Sequence, residues 1–169
     1  MPLSLFNNTI IETIKDRLIA RSETIAVAES VTSGLLQLAL SEAENAANFY
    51  QGSITVYNLG QKSRHLFIEP VHALSCNSVS EKIAGDMALN VCRLFTSDWG
   101  VGITDYASPV PESGNKLFAY YAVSCRGAIV LANKIIPAKD TPLKIQLLYV
   151  RYLLKDLSGY LNPTVVNKA

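Results

Sequence analysis

A serine, a tyrosine and a lysine carry the chemistry that can be read from this chain. Ser30 lies in Ala28-Glu29-Ser30-Val31-Thr32-Ser33-Gly34, where an apolar strand gives way to a helix. In an open α/β sheet the carboxyl end of such a strand faces the crevice where ligands bind. The helix that follows turns free N–H groups and a partial positive charge toward the same spot. The place suits a nucleophile beside an oxyanion, and it equally suits a serine that merely caps a helix. A serine hydroxyl also needs a base to take its proton. His65 lies on a short helix close after Lys62, and His72 follows Pro70; neither has an acidic neighbour in sequence to orient it. No Gly-x-Ser-x-Gly turn is present, which argues against a Ser-His-Asp triad. Lys62 can act instead if burial or nearby positive charge keeps its amine neutral. Tyr57 can relay the proton or fix the direction of that amine. Taken singly, Tyr57 is an amphipathic strand-end residue and Lys62 a solvated helix residue.

The elements that must position these side chains follow from the apolar spacing. Thr9-Ile10-Ile11-Glu12 reads as a capping box, and Ile10, Ile14 and Leu18 predict a helix to Ala20. Thr24 to Ala28 predicts a short strand, and Thr32 to Ser41 the helix after it. Ser53 to Tyr57 reads as a second strand, followed by a short helix from Gln61 to Phe67 that carries Lys62. Ser78-Val79-Ser80-Glu81 is a second capping box, opening a helix with Ile83, Met87, Val91 and Leu94 on one side. Trp99 to Thr104 predicts a buried strand, and the Pro- and Gly-containing stretch from Asp105 to Lys116 a loop. Leu117 to Cys125 and Ala128 to Ile136 predict a hairpin closed by Arg126-Gly127. A last helix follows Asp140, with Pro142 in its first turn and Gly159 at its end. The expectation is one α/β domain over residues 1–169, with a mixed sheet and helices on both faces.

Composition narrows the function classes. Charged residues make up only 17% of the chain and hydrophobic ones 49%, against a usual charged share of roughly 25%. That shortage fits a surface covered by another copy of the chain, so a homodimer or larger assembly is expected. A formal net charge of +1, with no dense run of Lys or Arg, argues against nucleic-acid binding. No apolar run approaches the roughly 20 residues that span a bilayer. Met1 to Asn8 lacks the basic and apolar regions of a secretory leader. Cys76, Cys92 and Cys125 match no zinc spacing and read as small buried hydrophobes in a reducing cytoplasm.

The residues quoted above also resemble a known family. Ala28-Glu29-Ser30-Val31-Thr32-Ser33-Gly34 is similar to the Ala-Glu-Ser-Cys-Thr-Gly-Gly signature of CinA C-terminal domains, which include nicotinamide-nucleotide amidases. Gly52, Tyr57 and Lys62 fall at the family's offsets from the serine, and Val79-Ser80-Glu81 and Ile103-Thr104 continue the likeness over residues 8 to 160. The resemblance implies a three-layer α/β/α fold and an oligomer. It also implies Ser30 as nucleophile, assisted by Lys62 and Tyr57, with no cofactor and no metal. Full-length members carry a further N-terminal domain for which 169 residues leave no room, so the stand-alone form is expected.

Four family glycines are replaced, at Ser33, Asp105, Ser108 and Ala119. Glycine at such places permits close approach of backbone to a ligand or a positive φ. The candidate substrate-binding set is Thr32, Ser33, Gly34, Thr104, Asp105 and Tyr106, with N–H groups from Thr32 to Gly34 for the oxyanion. Asp105 would oppose a phosphate monoester, and Tyr106 could offer a ring to a base or anchor the loop. Three functions follow. The first is an amidohydrolase acting on nicotinamide mononucleotide or a related amide. The second is a CinA-like module that binds a nucleotide or other small ligand, or acts through its oligomeric surfaces. The third is an amidase whose substrate lacks the phosphate.

Overall fold

The computed structural model describes residues 5–162. The two ends of the expected domain, and the first residues of the Met1–Asn8 segment, lie outside the described residues. The described residues hold strands β1 (Ile25–Glu29), β2 (Tyr50–Thr55), β3 (Trp99–Tyr106), β4 (Phe118–Cys125) and β5 (Ala128–Ile135) in one mixed sheet. Their order is β2-β1-β3-β4-β5. Strand β1 runs parallel to both β2 and β3, whereas β4 is antiparallel to β3 and to β5. Helices α1 (Asn8–Ala20), α2 (Leu35–Ser41), α3 (Leu59–Leu66), α4 (Pro70–Ser75), α5 (Glu81–Phe95) and α6 (Pro142–Leu161) cover the sheet.

The layering follows from the two-residue period of a strand, which sends alternate side chains to opposite faces. Ile25 and Val27 of β1 pack into a cluster with α1, α2 and α6, through Leu18, Leu36 and Leu153 among others. Ala26 and Ala28 pack into the other cluster, with Leu66, Ile83, Met87 and Val91 from α3 and α5. All five β1 residues are therefore buried, and the fold is the expected α/β/α sandwich. Helix α5 lies almost directly on β3. A Cβ at Gly102 would stand 2.3 Å from the Ala84 carbonyl oxygen, and one at Gly100 2.0 Å from that of Ala88. Only glycine permits that contact.

The structure corrects several element boundaries. Helix α1 is capped by Asn7, whose side chain accepts the Thr9 N–H, one turn-start earlier than the expected Thr9 box. Helix α2 begins at Leu35 because Ser33 and Gly34 both hold positive φ, 53° and 93°, which no helix tolerates. Strand β2 ends at Thr55, so Tyr57 lies beyond the strand instead of closing it. Helix α4, Pro70–Ser75, is an addition, capped by the Glu69 carboxylate. The cap of α5 is Ser80, since Ser78 sits at φ 59°. Leu94 near its end is exposed and outside the packed stripe. Strand β3 continues through Asp105 and Tyr106, which pair with Ala119 and Phe118 where a loop was expected. Helix α6 runs past Gly159 to Leu161, because burying Leu161 outweighs the roughly 1 kcal/mol that an interior glycine costs. The three cysteines are free and half-buried, not fully buried. The hairpin turn does fall at Arg126-Gly127, both with positive φ, as a two-residue type I′ turn requires.

Candidate active site

Strands β1, β2 and β3 are parallel, so their carboxyl ends meet at one edge of the sheet. The chain leaves β1 toward β2 on one side and later returns to β3 on the other. That change of direction opens a crevice above β1 and β3. A cavity of about 420 Å³ occupies it, lined by Ser30, Tyr57, Lys62, Asn77, Asp105 and Tyr106 among others.

The Ser30 turn is built by Glu29. This residue is wholly buried, and its carboxylate accepts the N–H groups of Gly34 (3.2 Å), Leu36 (3.0 Å) and Gln37 (2.8 Å). A carboxylate at the start of a helix satisfies donors that have no intrahelical partner and complements the helix dipole. Ser30 is thereby fixed at the end of β1, with the Ser33 N–H bonded back to its carbonyl at 3.1 Å.

Lys62 arrives from the neighbouring strand. Asn58 caps α3 through its side chain, and Lys62 on the first turn points inward over the end of β1. It is 2% exposed, and its Nζ lies 3.0 Å from Ser30 Oγ in a buried hydrogen bond. Burial pushes its pKa down to about 8, while the carboxylate of Asp105 and then Cys76 pull it part of the way back. A lysine in that range holds a share of its amine neutral near neutral pH, which is the condition for taking a hydroxyl proton.

Asp105 is the unusual member. It is 2% exposed, and its Oδ1 accepts the Val31 N–H at 3.1 Å. Its Oδ2 is buried and makes no hydrogen bond among the described residues. Burial raises its carboxyl to about 7, against the pull of the Val31 N–H, the Lys62 charge and the Thr32 N–H, and with a further push from Glu29. Of the backbone donors expected for an oxyanion, that of Ser33 turns to the Ser30 carbonyl and that of Gly34 is held by Glu29, and the neighbouring Val31 N–H is held by Asp105.

The other expected residues are placed as follows. Tyr57 is 63% exposed at the lip of the crevice, and its hydroxyl makes no hydrogen bond among the described residues. Tyr106 lines the wall. Its ring packs edge-on against Phe118, its hydroxyl accepts from Asn77 Nδ2 at 3.0 Å, and its carbonyl accepts from the Tyr149 hydroxyl at 2.8 Å. Thr32 is fully buried with an unbonded hydroxyl, and Thr104 is buried and donates to the Ser78 carbonyl at 2.7 Å. Ser33 is exposed and donates to the Val31 carbonyl at 3.0 Å. Thr32, Ser33, Gly34 and Thr104 do not line the crevice. His65 bonds Gln61 and His72 bonds Ser80, and neither lines the crevice. Sequence reasoning missed the supports: Glu29, and Gln146 on α6, whose Nε2 donates to the Val31 carbonyl at 2.6 Å. Gln146 and Tyr149 stand three apart within the otherwise apolar run Ile145 to Val150 of α6, which is the signal that was available. No cluster of three or more side chains able to hold a metal ion occurs among the described residues. Nor is any described helix long and apolar enough to cross a membrane.

The family model described as the CinA C-terminal domain matches residues 7–157. The chain belongs to the CinA C-terminal domain family. It is similar to a CinA-like protein of Prochlorococcus marinus (strain MIT 9301), 31% identical over 154 residues, covering 89% of this chain and 36% of that protein. A CinA-like protein of Picosynechococcus sp. is 36% identical over 103 residues, covering 61% of this chain and 25% of that protein. The chain thus spans about a third or less of the length of these relatives. In fold it matches a CinA superfamily protein from Enterobacter cloacae, with a TM-score of 0.87 at 24% identity over 96% of both chains. One from Escherichia coli gives 0.83 at 26% identity, over 89% of this chain and 87% of that one. On this CinA fold, Ser33 occupies a positive-φ position where the family signature has glycine. Asp105, also at a family glycine, brings a carboxylate to the crevice wall.

Proposed function

We propose that this CinA domain is a serine amidohydrolase acting on the carboxamide of a nicotinamide nucleotide or a related amide. The observation that carries the reading is the buried 3.0 Å contact between Lys62 Nζ and Ser30 Oγ at the floor of an open crevice. Neutral Lys62 takes the hydroxyl proton as Oγ attacks the carboxamide carbon. The resulting ammonium returns that proton to the departing nitrogen, which leaves as ammonia and an acyl ester on Ser30. Water, deprotonated by the same amine, cleaves the ester to a carboxylate and frees Ser30. Tyr57, with an unengaged hydroxyl at the lip, is the side chain available to relay a proton or to donate to the oxyanion.

The test is ammonia release from nicotinamide mononucleotide and from unphosphorylated carboxamides, with Ser30→Ala and Lys62→Met beside the wild type. Turnover lost in both variants supports the reading; no turnover of any amide, or turnover untouched by Ser30→Ala, removes it. One observation favours a second reading, a CinA domain that binds a small ligand without hydrolysing it. The N–H groups of Val31, Ser33 and Gly34 are bound to Asp105, the Ser30 carbonyl and Glu29, so the main chain of this turn offers an oxyanion few donors. Ligand binding with no ammonia released, unchanged in Ser30→Ala, would establish that reading. Exposed Phe67 at the end of α3 and Val71 and Leu74 on α4 support the expected self-association, which light scattering in solution checks.

A further inference from the structure

The charges that line the crevice carry a consequence for its ligand. Among the described lining residues, the acidic and basic side chains are Lys62, Asp105 and Glu112. Lys62 is committed to Ser30, and in the neutral form required of a base it contributes no charge at all. Asp105 is buried, with Oδ1 tied to the Val31 N–H and Oδ2 without a hydrogen bond among the described residues. Glu112 stands exposed in the loop that follows β3 and lines the same cavity. At pH 8, above the value to which burial raises Asp105, these two carboxyl groups face at most one ammonium, and the described lining holds no arginine or further lysine to receive an anion. A phosphate monoester, with a charge of about −1.5 to −2, meets repulsion there and no compensating partner. A cationic ring meets the reverse: attraction from both carboxylates, and the exposed ring of Tyr57, which a cation can approach face-on.

We propose that Asp105 is a specificity-determining residue that makes this crevice select carboxamides on a cationic, unphosphorylated scaffold and reject their phosphate esters. The inference rests on the amidohydrolase reading and narrows its substrates, through the charge of the walls, from the nucleotide to related amides without a phosphate. Nicotinamide riboside and nicotinamide mononucleotide form the decisive pair, since they share the carboxamide and the pyridinium ring and differ by the phosphate.

Equilibrium titration of both ligands by calorimetry, at low ionic strength and pH 8, reads the preference directly. The wild type is expected to bind the riboside at least about tenfold more tightly than the mononucleotide. Asp105→Asn, which keeps an oxygen for the Val31 N–H, should shrink that ratio severalfold. Glu112→Gln, at an exposed position, should shrink it less and serves if the first variant does not fold. A merely structural role for Asp105 would weaken both ligands alike and leave the ratio unchanged. Equal or tighter binding of the mononucleotide by the wild type overturns the proposal. So does binding of neither ligand, or a ratio that Asp105→Asn leaves untouched, Glu112→Gln taking its place where that variant is unfolded. Ammonia followed in the same samples separates the two ideas: a preference for the riboside without hydrolysis ends the amidase reading and leaves the selectivity standing.

Discussion

The Val31 N–H donates to Asp105 Oδ1 across 3.1 Å, so the end of β3 and the turn carrying Ser30 are held as one piece. The same contact buries a carboxyl whose pKa rises to about 7 from an ordinary value of 3.8, burial being the largest cause. A group with a raised folded pKa favours folding fully below its unfolded value, and that benefit is lost as pH climbs through the folded value. The wild type should therefore lose stability relative to Asp105→Asn between about pH 4 and pH 7, by on the order of 2 to 4 kcal/mol in total. Denaturant titrations of both proteins across that range check it; parallel curves would contradict it.

Lys62 gives a prediction of opposite sense. Its amine must be neutral to accept the Ser30 proton, and its pKa is lowered to about 8. Amide hydrolysis should rise about tenfold per pH unit below that value and level off above it. Lys62→Arg keeps the positive charge but not a titratable base near neutrality, and should lower kcat by about 100-fold or more. A pH–rate profile flat between pH 6 and 9 would exclude Lys62 as the base.

Glu29 should prove more important to folding than its silence in the chemistry suggests. Its buried carboxylate accepts three backbone N–H groups. Glu29→Ala strands those donors and should cost about 3 kcal/mol, since each buried unsatisfied group costs about 1 to 3 kcal/mol. Glu29→Gln keeps one acceptor oxygen and should fall between the two. Thermal unfolding of the three proteins gives the order.

Ser33 carries a strained backbone, at φ 53° on an exposed turn. Ser33→Gly should stabilise the chain by about 1 kcal/mol, or about 2 to 4 °C in Tm, because glycine adopts this conformation without steric penalty. A fall in Tm would show that the hydroxyl bond to the Val31 carbonyl matters more than the strain.

Much of this arrangement was legible in the sequence, and its limits are physical. The layers were readable because a buried parallel strand such as Ile25–Glu29, and the apolar stripes of α5 and α6, follow local periodicity. The Ser30–Lys62 contact was foreshadowed by adjacent strand ends, through a family pattern more than through spacing alone. The end of β3 was not readable, because Asp105 and Tyr106 look like turn residues until β4 is there to pair with them. Glu29 was not readable either. A glutamate closing a strand looks solvated, and only the turn folding back over it shows a carboxylate wrapped in main-chain donors. Gln146 on α6, which holds the Val31 carbonyl from far along the chain, escaped for the same reason.

Ser30 and Lys62 ride on one short unit, β1 through α3, whereas the crevice wall comes largely from the loop before α5 and from the end of β3 and the stretch after it. In the proposed amidohydrolase, reactivity and ligand choice are thus written in separate stretches of polypeptide. Exchanging residues 104–112 with those of another member would transplant the taste of the pocket while leaving its engine in place.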